Sequence, residues 1–324
     1  MGVKFNEIVH PKEITLKDLK NKTLAIDGLN ILYQFLSGIR LRDGSPLKNK
    51  NGEITSTYNG IFYKNIYLLE NNIIPVWVFD GKPHKLKDKT IMERRKAKEK
   101  SQEDYLKAKI NNNVEEMRKY AKRVNYIDEK ILKNSQKLLD LMGIPYVISP
   151  SEGEGQCAYM VKKGDCYSVV SQDYDALLYG APRTIKNITT NKPLEIIELE
   201  DVLNKLNITL DDLIDIAILI GTDYNPGGIK GIGPKKALEI VKSGRMKEYI
   251  DKIENYHEIK NIFKNPKITD DYTIKLKSPD IEKLREFLVE ENDFSEERIN
   301  PYLKKLEDIM ENRVKQKTLE SWFG

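Results

Sequence analysis

Four apolar runs, each opening onto acids, constrain this chain more than any other feature. Residues 23–26 (Thr-Leu-Ala-Ile) end at Asp27, and residues 73–79 (Ile-Ile-Pro-Val-Trp-Val-Phe) end at Asp80. Residues 145–148 lead through Ser149-Pro150-Ser151 to Glu152 and Glu154, and residues 168–172 reach Asp173 and Asp175. Continuous hydrophobic runs of this kind suit strands buried on both faces. Their alternation with helical segments predicts an α/β fold, a mostly parallel central sheet flanked by helices. Ligands of open α/β sheets gather at the carboxyl ends of strands, so four strands are expected to deliver six carboxylates to one crevice. A seventh, Asp223, follows an apolar helical run at 212–220 that Gly221 stops.

A lone acid after a strand reads as a helix cap or a turn. Seven in one crevice read differently, because crowded carboxylates bear desolvation and like-charge costs that would force them to protonate. Hard divalent cations remove that cost: Mg²⁺ takes oxygen ligands, keeps several waters and shares its shell with phosphate oxygens. Two such ions about 4 Å apart can activate a water and stabilise the leaving oxygen of an in-line displacement at phosphorus. The chain's 3 histidines and 2 cysteines argue in the same direction. Cys157 and Cys166 lack a C-x-x-C spacing, and the scattered His10, His84 and His257 cannot build a histidine site. Magnesium or manganese is therefore expected over zinc. Glu152-Gly153-Glu154 is the strongest local signal: two acids flank a glycine whose backbone freedom is expected to let both face one ion.

Charge singles out a second region. The 324 residues carry a net charge of +4, yet 15 Lys and Arg against 9 Asp and Glu fall between His84 and Lys130. Such a concentration suits a polyanionic partner, or else a solvated helix face. The Lys- and Glu-rich stretch from about 90 to 123 has few large apolar residues, so it is expected to be helix standing out from the main core. If 85–100 is helical, Lys87, Arg94 and Lys98 share one stripe with Ile91. The segment 227–237 (Gly-Gly-Ile-Lys-Gly-Ile-Gly-Pro-Lys-Lys-Ala) is glycine-rich and then helical, with Pro234 suited to a first helical turn. Its free N–H groups and Lys230, Lys235 and Lys236 suit a DNA phosphate. An ATP-binding loop is excluded, because Pro234 stands where such a loop needs Lys.

No apolar run approaches the roughly 20 residues of a membrane span, and mean hydropathy is −0.55. No membrane partner is expected. The first seven residues are too polar for a signal peptide, so export is not expected either. At the other end, Gln316-Lys317-Thr318-Leu319-Glu320-Ser321-Trp322-Phe323-Gly324 would cluster Leu319, Trp322 and Phe323 on one face of a short turn.

The ordered motifs Ala25-Ile26-Asp27-Gly28, Val78-Phe79-Asp80-Gly81-Lys82-Pro83, Glu152-Gly153-Glu154-Gly155, Ser171-Gln172-Asp173-Tyr174-Asp175 and Gly221-Thr222-Asp223-Tyr224 resemble those of the structure-specific 5′ nucleases, and among them the flap endonucleases. The resemblance spans almost the whole chain. It implies that Asp27, Asp80, Glu152, Glu154, Asp173, Asp175 and Asp223 hold two Mg²⁺ ions, with Mn²⁺ able to substitute. It implies a helical arch at about 81–130 through which a single-stranded 5′ end passes, with Lys87 and Arg94 as catalytic cations on the scissile phosphate. It makes Tyr33 a ring that stacks on a base beside the cut and sets Gly2 near the substrate. It makes 212–243 a helix-two-turn-helix element that grips duplex DNA through Gly231, Gly233, Lys235 and Lys236 and holds K⁺ through loop carbonyls. There the chain departs from relatives that can carry Ser, having Gly228, so carbonyls such as that of Ile229 would have to serve. The tail resembles a sliding-clamp docking peptide, with Gln316, Leu319, Trp322 and Phe323 as its contacts.

The resemblance thus implies a single nuclease domain at 1–311 with a clamp-binding tail at 312–324, working as a monomer in the cytoplasm of a prokaryote of archaeal type. Its activity would be Mg²⁺-dependent cleavage of 5′-flapped, branched DNA in replication and repair, with 5′-phosphate products and possible 5′–3′ exonuclease action. The alternatives are a bubble-cutting repair nuclease and a non-catalytic, clamp-associated DNA-binding adaptor. The first would carry a far longer arch and the second would have lost metal acids.

Overall fold

The computed structural model describes residues 3–111, 113, 115–116, 119–120 and 127–323; the side chains of 98, 106, 109 and 314–323 lie outside the description. Its strands are β1 (Lys12–Ile14), β2 (Thr23–Asp27), β3 (Ile74–Phe79), β4 (Tyr146–Ile148), β5 (Ser168–Val170), β6 (Arg183–Lys186) and β7 (Leu194–Glu198). The helices up to β6 are α1 (Gly28–Gly38), α2 (Ser56–Glu70), α3 (Asp88–Ile110), α4 (Glu129–Leu141), α5 (Gly153–Lys163) and α6 (Asp175–Leu178). After β7 come α7 (Leu199–Leu206), α8 (Leu210–Ile220), α9 (Pro234–Lys242), α10 (Lys247–Ile250), α11 (Tyr256–Lys264), α12 (Ile281–Arg285) and α13 (Glu296–Phe323).

The sheet has the order β1-β7-β6-β5-β2-β3-β4. Pairing is parallel between β2 and β5 (Ile26 opposite Val170) and between β5 and β6, while β7 runs against both β6 and β1. The mostly parallel α/β sheet is as the apolar runs predict, and all four runs are strands. β1, β6 and β7 were not legible, because Lys-Glu-Ile, Arg-Thr-Ile-Lys and Leu-Glu-Ile-Ile-Glu mix charge into segments only partly buried.

Two compact units make up the chain. One comprises Met1–Asn30, Val78–Arg95 and Val147–Tyr272; the other comprises Ile31–Trp77, Lys96–Tyr146 and Thr273–Gly324. In the first, the apolar faces of β2 (Leu24, Ile26) and β5 (Val169, Val170) are fully buried, with α5 laid over both strands through Cys157, Ala158 and Met160. α8 opens with a capping box in which Thr209 and Asp212 satisfy one another's backbone, and it buries Leu213 through Leu219 before Gly221 ends it. In the second, α2 packs with α4 and α13; Tyr58 meets Phe287 edge-on at 5.7 Å and the Trp77 indole donates to Asn65 Oδ1 at 3.0 Å.

α3 is the expected Lys- and Glu-rich helix. Ile91 and Met92 are exposed and Ile110 is 80% exposed, while Ala108 is buried, so no continuous apolar stripe anchors it. Among the described residues, no helix is long and apolar enough to cross a membrane.

Candidate active site

All seven acids, together with Lys87 and Arg94, lie in the first unit, where the carboxyl ends of its strands meet the starts of the helices that follow. Asp27 closes β2 and caps α1: its Oδ1 accepts the Asn30 N–H at 3.2 Å, and its Oδ2 accepts the Ser171 hydroxyl at 2.9 Å. Ser171 lies just past β5 and also accepts the Asp173 N–H at 3.2 Å. The Asn30 side chain completes the link, taking the Gln172 N–H on Oδ1 and giving its amide hydrogen to Asp173 Oδ2, each at 3.0 Å. Asp175 opens α6 and accepts the Val3 N–H at 2.7 Å. Gly2 lies outside the described residues.

On the other side of the cleft, Asp80 follows β3 and accepts the Gly153 N–H at 2.6 Å. Gly153 is the first residue of α5, and a Cβ there would lie 2.6 Å from Asp80 Oδ1. The expectation that this glycine supplies backbone freedom is therefore corrected: its role is to let a carboxylate approach the helix N-terminus closely. Glu152 Oε2 pairs with the Lys87 ammonium, and Glu152 Oε1 is buried without a hydrogen-bond partner. Asp223, three residues past the end of α8, takes the Arg94 guanidinium on Oδ1 at 2.6 Å and stands 3.8 Å from Lys87 through Oδ2. Its backbone carbonyl accepts the Thr90 hydroxyl at 2.5 Å.

The expected stripe of cations is thus realised in part. Lys87 falls in a short turn one residue before α3, with its ammonium 5.3 Å from the centre of the Tyr224 ring, and Arg94 lies two turns further along. Both face carboxylates. The Lys98 side chain lies outside the described residues.

Mutual repulsion is visible in the proton affinities. Burial first, then the charge of Asp80, pushes Asp27 up to about 8. Burial and Glu152 push Asp80 up to about 6, and burial with Asp173 and Asp223 pushes Asp175 up to about 7 against the restraining Val3 N–H. Glu154 is driven well above the carboxylate range by burial and by Asp175, Asp27 and Asp173. Burial would lower Lys87, but Glu152 and its neighbours outweigh it and hold the ammonium charged. The cleft therefore has too much negative charge for its two cations to balance.

The donor set is oxygen throughout and suits a hard divalent ion, and the orphaned Glu152 Oε1 has a lone pair to offer one. Among the described residues, no group of three or more His, Cys, Asp or Glu is drawn together as a ready-made chelate.

The glycine-rich turn has the geometry its sequence predicts. Gly227, Gly228 and Gly231 adopt φ of 81°, 50° and 82°, and Gly233 precedes α9 with Pro234 in its first turn. Lys235 and Lys236 are exposed at that N-terminus, and Lys236 reaches the Gly231 carbonyl at 3.5 Å. Gly228 leaves no room for a side chain: its φ is 50° and a Cβ there would lie 2.3 Å from the Ile220 carbonyl carbon. Tyr33 stands on α1 in the second unit, 45% exposed. Gln316, Leu319, Trp322 and Phe323 fall in α13, where side chains lie outside the described residues.

Asn30, Ser171 and Thr90 were not singled out from the sequence. The spacing Asp-x-x-Asn across a strand-to-helix junction was the available signal for Asn30, since residues three apart bracket a helix's first turn.

Comparison with known proteins agrees with this architecture. Residues 1–102 match the XPG N-terminal domain and residues 143–223 the XPG I-region, which defines the class as an XPG-type nuclease. Over its full length the chain is 65% identical to flap endonuclease 1 of Methanococcus aeolicus and 58% identical to that of Methanocaldococcus jannaschii, covering 100% of each. The solved flap endonuclease-1 from Methanococcus jannaschii superposes with a TM-score of 0.83 at 56% identity, over 96% of this chain and 100% of that one. The catalytic core of Rad2 in complex with DNA substrate shares the fold at a TM-score of 0.70 and 24% identity, over 94% and 100% of the two chains. The chain belongs to the flap endonuclease family.

Proposed function

We propose that this structure-specific 5′ flap endonuclease cuts DNA with two Mg²⁺ ions seated among Asp27, Asp80, Glu152, Glu154, Asp173, Asp175 and Asp223, with Mn²⁺ an effective substitute. The observation that carries the reading is the crowding itself: burial and neighbouring carboxylates raise the proton affinity of Asp27, Asp80, Glu154 and Asp175 at four strand ends. Bound there, such ions would supply a water acidic enough to attack phosphorus and positive charge for the departing 3′ oxygen.

The chain's own groups do the remainder. Asp27, Asp173 and Asp175 are held in place by Ser171, Asn30 and the Val3 N–H, so their free lone pairs are aimed before anything binds. Lys87 and Arg94 face Glu152 and Asp223. A scissile phosphate arriving with its cations would take over those carboxylates' partners, leaving Lys87 and Arg94 to bind the phosphate oxygens as charge builds. Burial excludes bulk water from the carboxylates, which strengthens each interaction. Tyr33 stacks on a base next to the cut, and Gly2 lies by the substrate. The turn at Gly231 and Gly233 grips a duplex phosphate with its N–H groups, aided by Lys235 and Lys236, while its carbonyls hold K⁺.

We further read 1–311 as one nuclease domain, with 312–324 docking on a sliding clamp through Gln316, Leu319, Trp322 and Phe323. The enzyme would act as a monomer in an archaeal cytoplasm, in keeping with its archaeal relatives. The test is cleavage of a 3′-mapped synthetic 5′ flap with and without Mg²⁺. One cut near the junction, leaving a 5′-phosphate and requiring the ion, is expected; undiminished cutting in chelator would end the metal reading.

A further inference from the structure

The acids that face one another across adjacent strands are separated by 146 residues in the case of Asp27 and Asp173, and nothing in their charges keeps them in register. They repel: Asp173 is among the groups that raise the proton affinity of Asp27. Two side chains nonetheless bridge the gap. Ser171 donates to Asp27 and accepts from the Asp173 backbone, and Asn30 reaches across from the other strand's helix. Asn30 ties the two together: its backbone N–H goes to Asp27 Oδ1, its Oδ1 takes the Gln172 N–H, and its Nδ2 goes to Asp173 Oδ2.

The chemistry of those bonds specifies an amide. One end must accept, because it meets a backbone N–H; the other must donate, because it meets a carboxylate. A carboxylate at this position would repel Asp173, and an apolar side chain would satisfy neither. The Gln172 N–H also settles which way the amide faces, so Nδ2 points at Asp173. Asn30 is only partly buried and sits in the first turn of α1, so it is not part of the hydrophobic core.

We infer that Asn30 is a positioning residue for the metal centre, fixing the carboxylates of Asp27 and Asp173 at the separation and rotation that a divalent ion requires. The inference rests on the reading that those two acids hold metal. Partners that orient metal ligands in this way typically carry about 10- to 100-fold in metal affinity.

The test is Mn²⁺ binding to the full-length, DNA-free protein by calorimetry and by electron paramagnetic resonance, for Asn30→Ala, Asn30→Ser and Asp173→Ala. Both Asn30 variants should weaken Mn²⁺ binding about 10- to 100-fold. Their melting temperature in chelator should stay near that of the parent. Flap cleavage should return toward the parent rate as Mn²⁺ is raised, with the KM for flap DNA unchanged. If Asp173→Ala weakens Mn²⁺ binding and the Asn30 variants do not, the inference fails while the metal reading stands. If Asp173→Ala leaves Mn²⁺ binding intact, the metal reading itself fails. Should Asn30→Ala melt early, Asn30→Ser is read by the same criteria; a loss of cleavage in it that Mn²⁺ cannot rescue, at parental Mn²⁺ affinity, would also overturn the inference.

Discussion

The acidic cleft and the glycine-rich turn sit in the same unit and use opposite parts of the chain. In the cleft, side chains would carry the function and the backbone serves them: N–H groups of Val3, Asn30 and Gly153 hold Asp175, Asp27 and Asp80. In the turn, the backbone would carry the function, and side chains are removed so that it can be reached. Gly231 and Gly233 have open space where a Cβ would stand, and Lys230, Lys235 and Lys236 on either side of them add charge. The contrast follows from the partners. A divalent cation needs anionic oxygens, which only side chains supply, whereas a phosphate can be met by neutral N–H groups at a helix start. Disturbing the cleft should therefore alter chemistry, and disturbing the turn should alter affinity.

The widest separation of those effects is expected from Asp173→Ala. It should abolish cleavage of a labelled flap while leaving junction binding largely intact by gel shift. Turnover at the parental rate would remove Asp173 from the metal centre.

Lys87→Met should lower single-turnover cleavage by about 10²- to 10³-fold, the scale of losing one transition-state donor. The same change should tighten Mn²⁺ binding in the absence of DNA, because Glu152 loses the ammonium that competes for it. Unchanged or weakened Mn²⁺ affinity would show that the pairing is not competitive with metal.

The raised carboxyls give the cleft a pH signature. Asp27, Asp175 and Asp80 hold protons up to about 8, 7 and 6, all above the 3.8 of an unfolded Asp. Between pH 4 and 8, folded protein without metal binds more protons than unfolded chain, so their contribution is present at low pH and lost as pH rises. The melting temperature in chelator should fall from pH 6 to pH 8, and added Mg²⁺ should raise it more at pH 8. Calorimetry showing a Mg²⁺ shift independent of pH would contradict the crowding.

The smallest effect belongs to the turn. Replacing Lys235 and Lys236 together by Ala should reduce the slope of log affinity against log salt by about 2, one counterion per phosphate contact. Cleavage at saturating DNA should not change. A drop in that rate with an unaltered salt slope would erase the division of labour.

The strand-end acids were legible because a buried parallel strand forces a recognisable apolar run, and the first polar residue after it has to emerge at the sheet's edge. The turn was legible because glycines before a proline have few other uses. What stayed hidden was the tissue between the acids. Asn30 and Ser171 act through bonds between segments about 140 residues apart in sequence, and a lone Asn in a helix or Ser after a strand has many ordinary explanations. Gly153 was visible as a residue, but its reason, the nearness of Asp80, is a tertiary fact. β1, β6 and β7 were missed because they mix charged residues into short, partly buried segments, which leaves no continuous apolar run to read.

Between α8 and α9 the chain closes on itself like a drawstring. Gly221 and Gly228 cross so tightly that a Cβ on Gly221 would lie 2.5 Å from the Gly228 nitrogen, and the Ile229 N–H is tied to the Leu219 carbonyl at 2.9 Å. Asn225, inside the loop, is knotted to Thr222 and to the Ile218 carbonyl. Asp223 lies within that loop, and the glycine-rich turn continues from where it ends. The acid and the turn are in consequence joined by a loop with little slack, so a pull on the turn would be passed on to the carboxylate.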